Sequence, residues 1–138
     1  MLPNVELYPD ALEVLETLHA ADKKLALITS SPHKNINHLL EKYNLTKFFD
    51  AIITADDVSH HKPNPEALEK ALAHLGGDKQ NAVIVGDGDK DIGAAKNADI
   101  DSILFYPDEH KKFYDLNKLR KLKPTYIVDD FRKILELV

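Results

Sequence analysis

The sequence predicts an α/β fold, a three-layer sandwich with helices on both faces of a mostly parallel sheet. Short apolar runs alternate with longer segments of helical period along all 138 residues, the pattern of strands joined by crossover helices. The runs LALIT, AIIT, AVIV and SILFY are apolar nearly throughout, as strands covered on both faces are. Polar residues gather directly after them, where open parallel sheets of this Rossmann-like kind bind ligands.

The elements follow in order. DALEVLETLHA places Leu12, Val14, Leu15 and Leu18 at helical spacing behind Asp10 as cap. LALIT, residues 25–29, is the first strand. SSPHKNINHLLEKY offers Ser31 as N-cap with Pro32 in the first helical position, and Ile36, Leu39, Leu40 and Tyr43 form one stripe. AIIT, residues 51–54, is a second strand. After a polar loop, PEALEKALAHLGG reads as a helix opened by Pro65 and closed by Gly76 and Gly77. A strand at 82–85, a helix over about 91–98 and a strand at 102–106 continue the alternation. PDEHKKFYDLNKLRKLKP reads as a surface helix with its loops, TYIV as the last strand and DDFRKILELV as the last helix. The whole, residues 1–138, is expected to form one domain. No strand-like run precedes the first helix, so the strand with which such a sandwich normally begins is expected to be missing.

Composition narrows the function classes. The net charge is −5, from 23 acidic and 18 basic residues, and no basic block could follow a nucleic-acid backbone. No cysteine is present, which removes disulfides, thiolate zinc sites and thiol nucleophiles and suits a reducing compartment. No run of 18 apolar residues and no signal-like start occurs. The expectation is a soluble, cytoplasmic protein that binds neither nucleic acid nor membrane.

The polar strand ends suggest a site. Asp87 and Asp91 lie four apart at a strand-to-helix turn, where both carboxylates can serve one hard cation such as Mg²⁺. Two carboxylates hold that ion weakly unless a phosphate adds oxygens. Thr29 and Ser30 offer hydroxyls and amides before a helix N-terminus, a cradle for a phosphate. Lys62, between His61 and Pro63, adds a cation on a loop stiffened by prolines. Asp56 and Asp57 read as capping carboxylates, and the adjacent His60 and His61 as exposed side chains. A response-regulator receiver needs acidic residues after its first strand, where Thr29 stands here. A dinucleotide fingerprint fails because GDGDKD puts aspartates where a pyrophosphate must approach.

LALITSS, HKPNPE and VIVGDGDKDIGAAKNAD resemble the second, third and fourth motifs of the haloacid dehalogenase superfamily, in its phosphoglycolate-phosphatase-like branch. The resemblance extends from YPDALEVLETL, similar to the segment where such proteins leave their cap domain, to the end of the chain. It implies that Thr29 and Ser30 bind phosphate, that Lys62 neutralises phosphate and nucleophile as a catalytic residue, and that Asp87 and Asp91 hold Mg²⁺. The implied substrate is a small phosphorylated metabolite, and Asp89 falls at a variable position.

The family's first motif, DxDxT, has no counterpart, since the only D-x-D stretch is DGDKD. Its first aspartate is the family's nucleophile and its second the general acid and base. Loss of a covalent nucleophile commonly costs on the order of a million-fold in turnover. Little or no phosphatase activity is therefore expected of these residues alone, and the alternative is a truncated or degenerate domain that binds phosphate, metal or a protein without turnover. In the family the missing strand is central, between LALIT and AVIV. Either those two strands pair directly, about 4.8 Å apart, or each leaves an open apolar edge. Such edges would favour a homo-oligomer or a partner chain.

Overall fold

The computed structural model describes residues 10–108 and 115–138. Among these residues five α-helices and five strands alternate: α1 (Ala11–Ala20), β1 (Ala26–Ile28), α2 (His33–Lys42), β2 (Ala51–Ile53), α3 (Glu66–Leu75), β3 (Val83–Gly86), α4 (Asp89–Ala98), β4 (Asp101–Phe105), α5 (Leu116–Arg120) and β5 (Tyr126–Val128). All strand pairing among the described residues is parallel, but it is divided. β1 pairs with β2, and β3, β4 and β5 form a second sheet in that order. β1 and β3 do not pair, so the second of the two sequence alternatives holds. Val85 of β3 is 38% exposed, more than a central strand residue would be.

Strand side chains point alternately to two faces, and each face has its own helices. Leu25 and Leu27 meet Ile36 and Leu40 of α2, with Phe48 and Leu15 of α1. Ile103, Phe105 and Val128 pack on the same layer against Phe131, Ile134 and Leu137. On the opposite face Ala26, Ile28, Ile53 and Ile84 pack beneath α3 and α4. Leu104 and Tyr106 there meet Ile92 and Leu119 of α5. The result is the expected three-layer sandwich.

The α3–α4 layer joins the two half-sheets. Its seam is built from small side chains, Ala67 and Ala71 on α3 and Ala94, Ala95 and Ala98 on α4, with Leu68 and the β1, β2 and β3 residues in one cluster. Small residues let two helices approach closely, and a close-packed interior leaves no room for more. α3 ends where the sequence predicts, at Gly76, whose φ of 64° lies in the left-handed region that glycine adopts without steric cost.

Several local expectations shift. α2 starts at His33 with Pro32 as its N-cap residue, not Ser31, and no side chain within the segment caps it. Asp56 does so from outside, accepting the His33 amide at 2.9 Å. Asp10 does occupy the α1 N-cap position, but its side chain makes no cap and instead meets Arg132 Nε at 3.4 Å. Leu12 is exposed, and Ala11 and Val14 carry the burial. The terminal segment is a 3₁₀ helix, Phe131–Glu136, rather than an α-helix. Of the surface helix expected across 107–124, only the five residues of α5 are α-helical among those described, and 109–114 lie outside them.

Ala94 is 0% exposed in the seam, whereas Ala73 of α3 faces solvent. Ala94→Leu is expected to lower unfolding stability by about 1–3 kcal/mol through overpacking. Ala73→Leu should stay within about 0.5 kcal/mol of the parent. Urea denaturation of both variants measures the difference.

Candidate functional site

The strand ends carry the site. β3 ends at Gly86, Asp87 follows, and Gly88 is the N-cap residue of α4, so Asp91 sits in that helix's first turn. Gly86 is required by Asp91, because a β-carbon there would come within 2.6 Å of Asp91 Cγ. Lys62 reaches the same place from the loop before α3, and its ammonium donates to Asp91 Oδ1 in a short ion pair. The two side chains are only 12% and 16% exposed. An ion pair withdrawn this far from water holds firmly once formed, because either charge left alone there is costly.

The lysine loop is tied at several points. The Glu66 carboxylate at the start of α3 accepts the Ser59 amide at 3.0 Å and the His60 amide at 3.0 Å. Asn64 Oδ1 accepts the Glu66 amide at 2.9 Å, and the Asn64 amide donates to His61 O at 3.0 Å. Asn97 of α4 donates from its side-chain amide to Pro63 O at 2.9 Å. The Lys62–Pro63 peptide bond is cis. Glu66 is held at a pKa of about 2, below the ordinary 4.5, first by the Ser59 amide and further by Lys70 and the His60 amide, with partial burial opposing.

Thr29 and Ser30 end β1, on the other half-sheet. The Thr29 amide donates to Ile53 O at 3.0 Å, and its hydroxyl oxygen accepts the Ser31 amide at 3.1 Å. The Thr29 hydroxyl proton is thereby left to donate elsewhere. Asp57 accepts the Thr54 amide at 2.8 Å and the Thr54 hydroxyl at 3.0 Å, and lies 3.2 Å from His33 Nε2. The Thr54 amide above all lowers the Asp57 pKa, with the Thr54 hydroxyl and His33 adding to it against partial burial. Asp56 and Asp57 are thus capping carboxylates, as the sequence suggests. Asp89 is exposed and accepts the amide of its neighbour Lys90. His61 is exposed as read, and His60 is exposed with its ring 3.3 Å from Glu66 Oε1.

The structure therefore brings Lys62 and Asp91 into contact, sets Asp87 directly after β3, and leaves Thr29 and Ser30 directly after β1. Residues 2–105 match the haloacid dehalogenase-like hydrolase family. The chain belongs to that family. It is 34% identical over 135 residues to the pyrophosphatase PpaX of Halalkalibacterium halodurans, covering 97% of this chain and 60% of that protein. It is also 34% identical over 130 residues to a phosphoglycolate phosphatase of Salmonella typhi, covering 94% of this chain and 50% of that one. Among solved structures, a HAD phosphatase from Thermococcus onnurineus matches with a TM-score of 0.82 at 26% identity, covering 96% of this chain and 58% of the other. The haloacid dehalogenase-like chain thus spans between half and three fifths of these relatives.

The donor set fits the magnesium that this family uses in one respect. Asp91 Oδ1 is engaged by Lys62, while Oδ2 of this mostly buried carboxylate has no protein donor among the described residues. No group of three or more His, Asp or Glu side chains among the described residues is placed to hold a metal. Asp87 and Asp91 would therefore supply two oxygens to an ion that keeps waters and takes the rest from phosphate. No helix among the described residues is long and apolar enough to cross a membrane.

Glu66, Asn64, Asn97 and Gly86 are the supporting residues that the sequence reading missed. Asn97 left a trace, since asparagine is a poor helix former and stands here inside the alanine-rich α4. Because the folded pKa of Glu66 is depressed, the stability it contributes is present above about pH 4.5 and lost as pH falls toward 2. Glu66→Gln is expected to flatten the fall in unfolding stability between pH 5 and about pH 2, measured by urea midpoints at successive pH values.

Proposed function

We propose that this chain carries the phosphate- and magnesium-binding part of a phosphatase site for small phosphorylated metabolites. The observation that supports it best is the Lys62–Asp91 pair where β3 ends and α4 begins, with Thr29 and Ser30 directly after β1. The similarity to a pyrophosphatase and a phosphoglycolate phosphatase supports the phosphate chemistry. The absence of cysteine suits a cytoplasmic setting.

In this reading Asp87 and Asp91 hold Mg²⁺, which when bound neutralises phosphate oxygens as a Lewis acid. The Thr29 hydroxyl donates to a phosphate oxygen with the proton that its contact to Ser31 leaves free. Ser30, without a hydrogen bond to the described residues, adds amide and hydroxyl donors. Lys62, already oriented by Asp91, places a positive charge where negative charge gathers on phosphorus oxygens. No DxDxT pattern occurs in the 138 residues, so they do not carry in its usual motif the attacking aspartate that the family places between the strands matching β1 and β3. The open edges of those strands suit a further parallel strand from this or a partner chain. A second reading, phosphate or metal binding without turnover, is favoured by the same missing aspartate.

Titration calorimetry of the chain with inorganic phosphate distinguishes a phosphate-metal site from an unrelated fold surface. Mg²⁺ is expected to tighten phosphate binding about tenfold, Asp91→Asn to abolish that dependence, and Lys62→Met to weaken phosphate about tenfold. Equal phosphate affinity with and without Mg²⁺ would overturn the proposal. An aryl phosphate should be hydrolysed by these residues alone no faster than by buffer.

A further inference from the structure

The Lys62–Pro63 step lies on α4, not merely near it. Asp91 takes the Lys62 ammonium in the first turn, and Asn97 takes the Pro63 carbonyl in the last turn at 2.9 Å. Between them Gly93 leaves the space for the proline, since a β-carbon at Gly93 would stand 3.0 Å from Pro63 Cβ. Gly93 and Asn97 are four apart and so share one face of the helix. Asn97 is exposed, and its side-chain amide reaches the loop rather than its own helix.

We infer that Asn97, with Gly93 as its clearance, is a positioning residue that sets Lys62 against Asp91 through the Pro63 carbonyl. The inference deepens the proposed phosphate site and rests on it for the purpose that Lys62 serves. Without the Asn97 contact only the ion pair would join the loop to α4 by a polar contact, and a lysine on four rotatable bonds fixes a backbone poorly. With it, the backbone next to Lys62 is fixed to the helix that carries the metal carboxylate, so lysine and carboxylate keep one register. Asn97 touches neither phosphate nor metal in this arrangement and acts through Pro63.

The test reads the Lys62 ammonium itself, by its ¹H–¹⁵N resonance and the rate at which its protons exchange with water. The resonance is assigned by its loss in Lys62→Met. Asn97→Ala and the isosteric Asn97→Asp, which lacks the donor, should each speed that exchange about fivefold, the worth of one ordinary hydrogen bond. The amide spectrum should otherwise be retained, and Mg²⁺-dependent affinity for inorganic phosphate should fall by about the same factor. Unchanged exchange and unchanged phosphate affinity in both variants would overturn the inference. Faster exchange in a chain that binds no phosphate at all would uphold the positioning role and refute the phosphate site instead.

Discussion

Two opposite charges meeting from different elements set the form of the strand-end site. Lys62 comes from a loop on the α3 side and Asp91 from the first turn of α4, and both are largely withdrawn from water. Desolvating either costs several kcal/mol, so loop and helix are held to positions that keep the charges together. Much else serves that requirement. Gly86 leaves room for Asp91, Glu66 gathers the Ser59 and His60 amides, and Asn97 holds Pro63. The pair engages only Oδ1 of Asp91, and Oδ2 lies against Gly86.

The alanine seam between α3 and α4 fixes the distance over which the pair must reach. It also substitutes for strand pairing between β1 and β3, because the cluster around Ala67, Ala71, Ala94, Ala95 and Ala98 includes residues of both half-sheets. Thr29 and Ser30 therefore stand on one hydrogen-bonded unit, and Asp87 and Asp91 on the other. Their spacing depends on side-chain packing rather than on a shared ladder.

Much of this was legible in the sequence where the signal is local. Pro65 and Gly76 bracket α3 because proline and glycine fix backbone geometry in place. Thr29, Lys62, Asp87 and Asp91 stood out because polar groups after buried strands have few structural uses. Signals that depend on distant partners were lost. Ser31 read as the cap of α2, yet Asp56 from 23 residues away takes that role. Phe131, Ile134 and Leu137 are spaced by three, which suits an α-helical stripe and a 3₁₀ helix alike, and the chain adopts the latter. The division of the sheet was one of two outcomes that the missing strand left open, and the alanine seam that bridges it was not read at all.

The most direct test of the pair's governing role is a double-mutant cycle on unfolding free energy with Lys62→Met, Asp91→Asn and the double variant. If the ion pair organises loop and helix, each single variant strands a buried polar partner and costs about 3 kcal/mol. The double variant should then cost far less than the sum, with a coupling energy of about 2 kcal/mol or more. Additivity within about 0.5 kcal/mol would contradict the account, since the two side chains would then contribute independently.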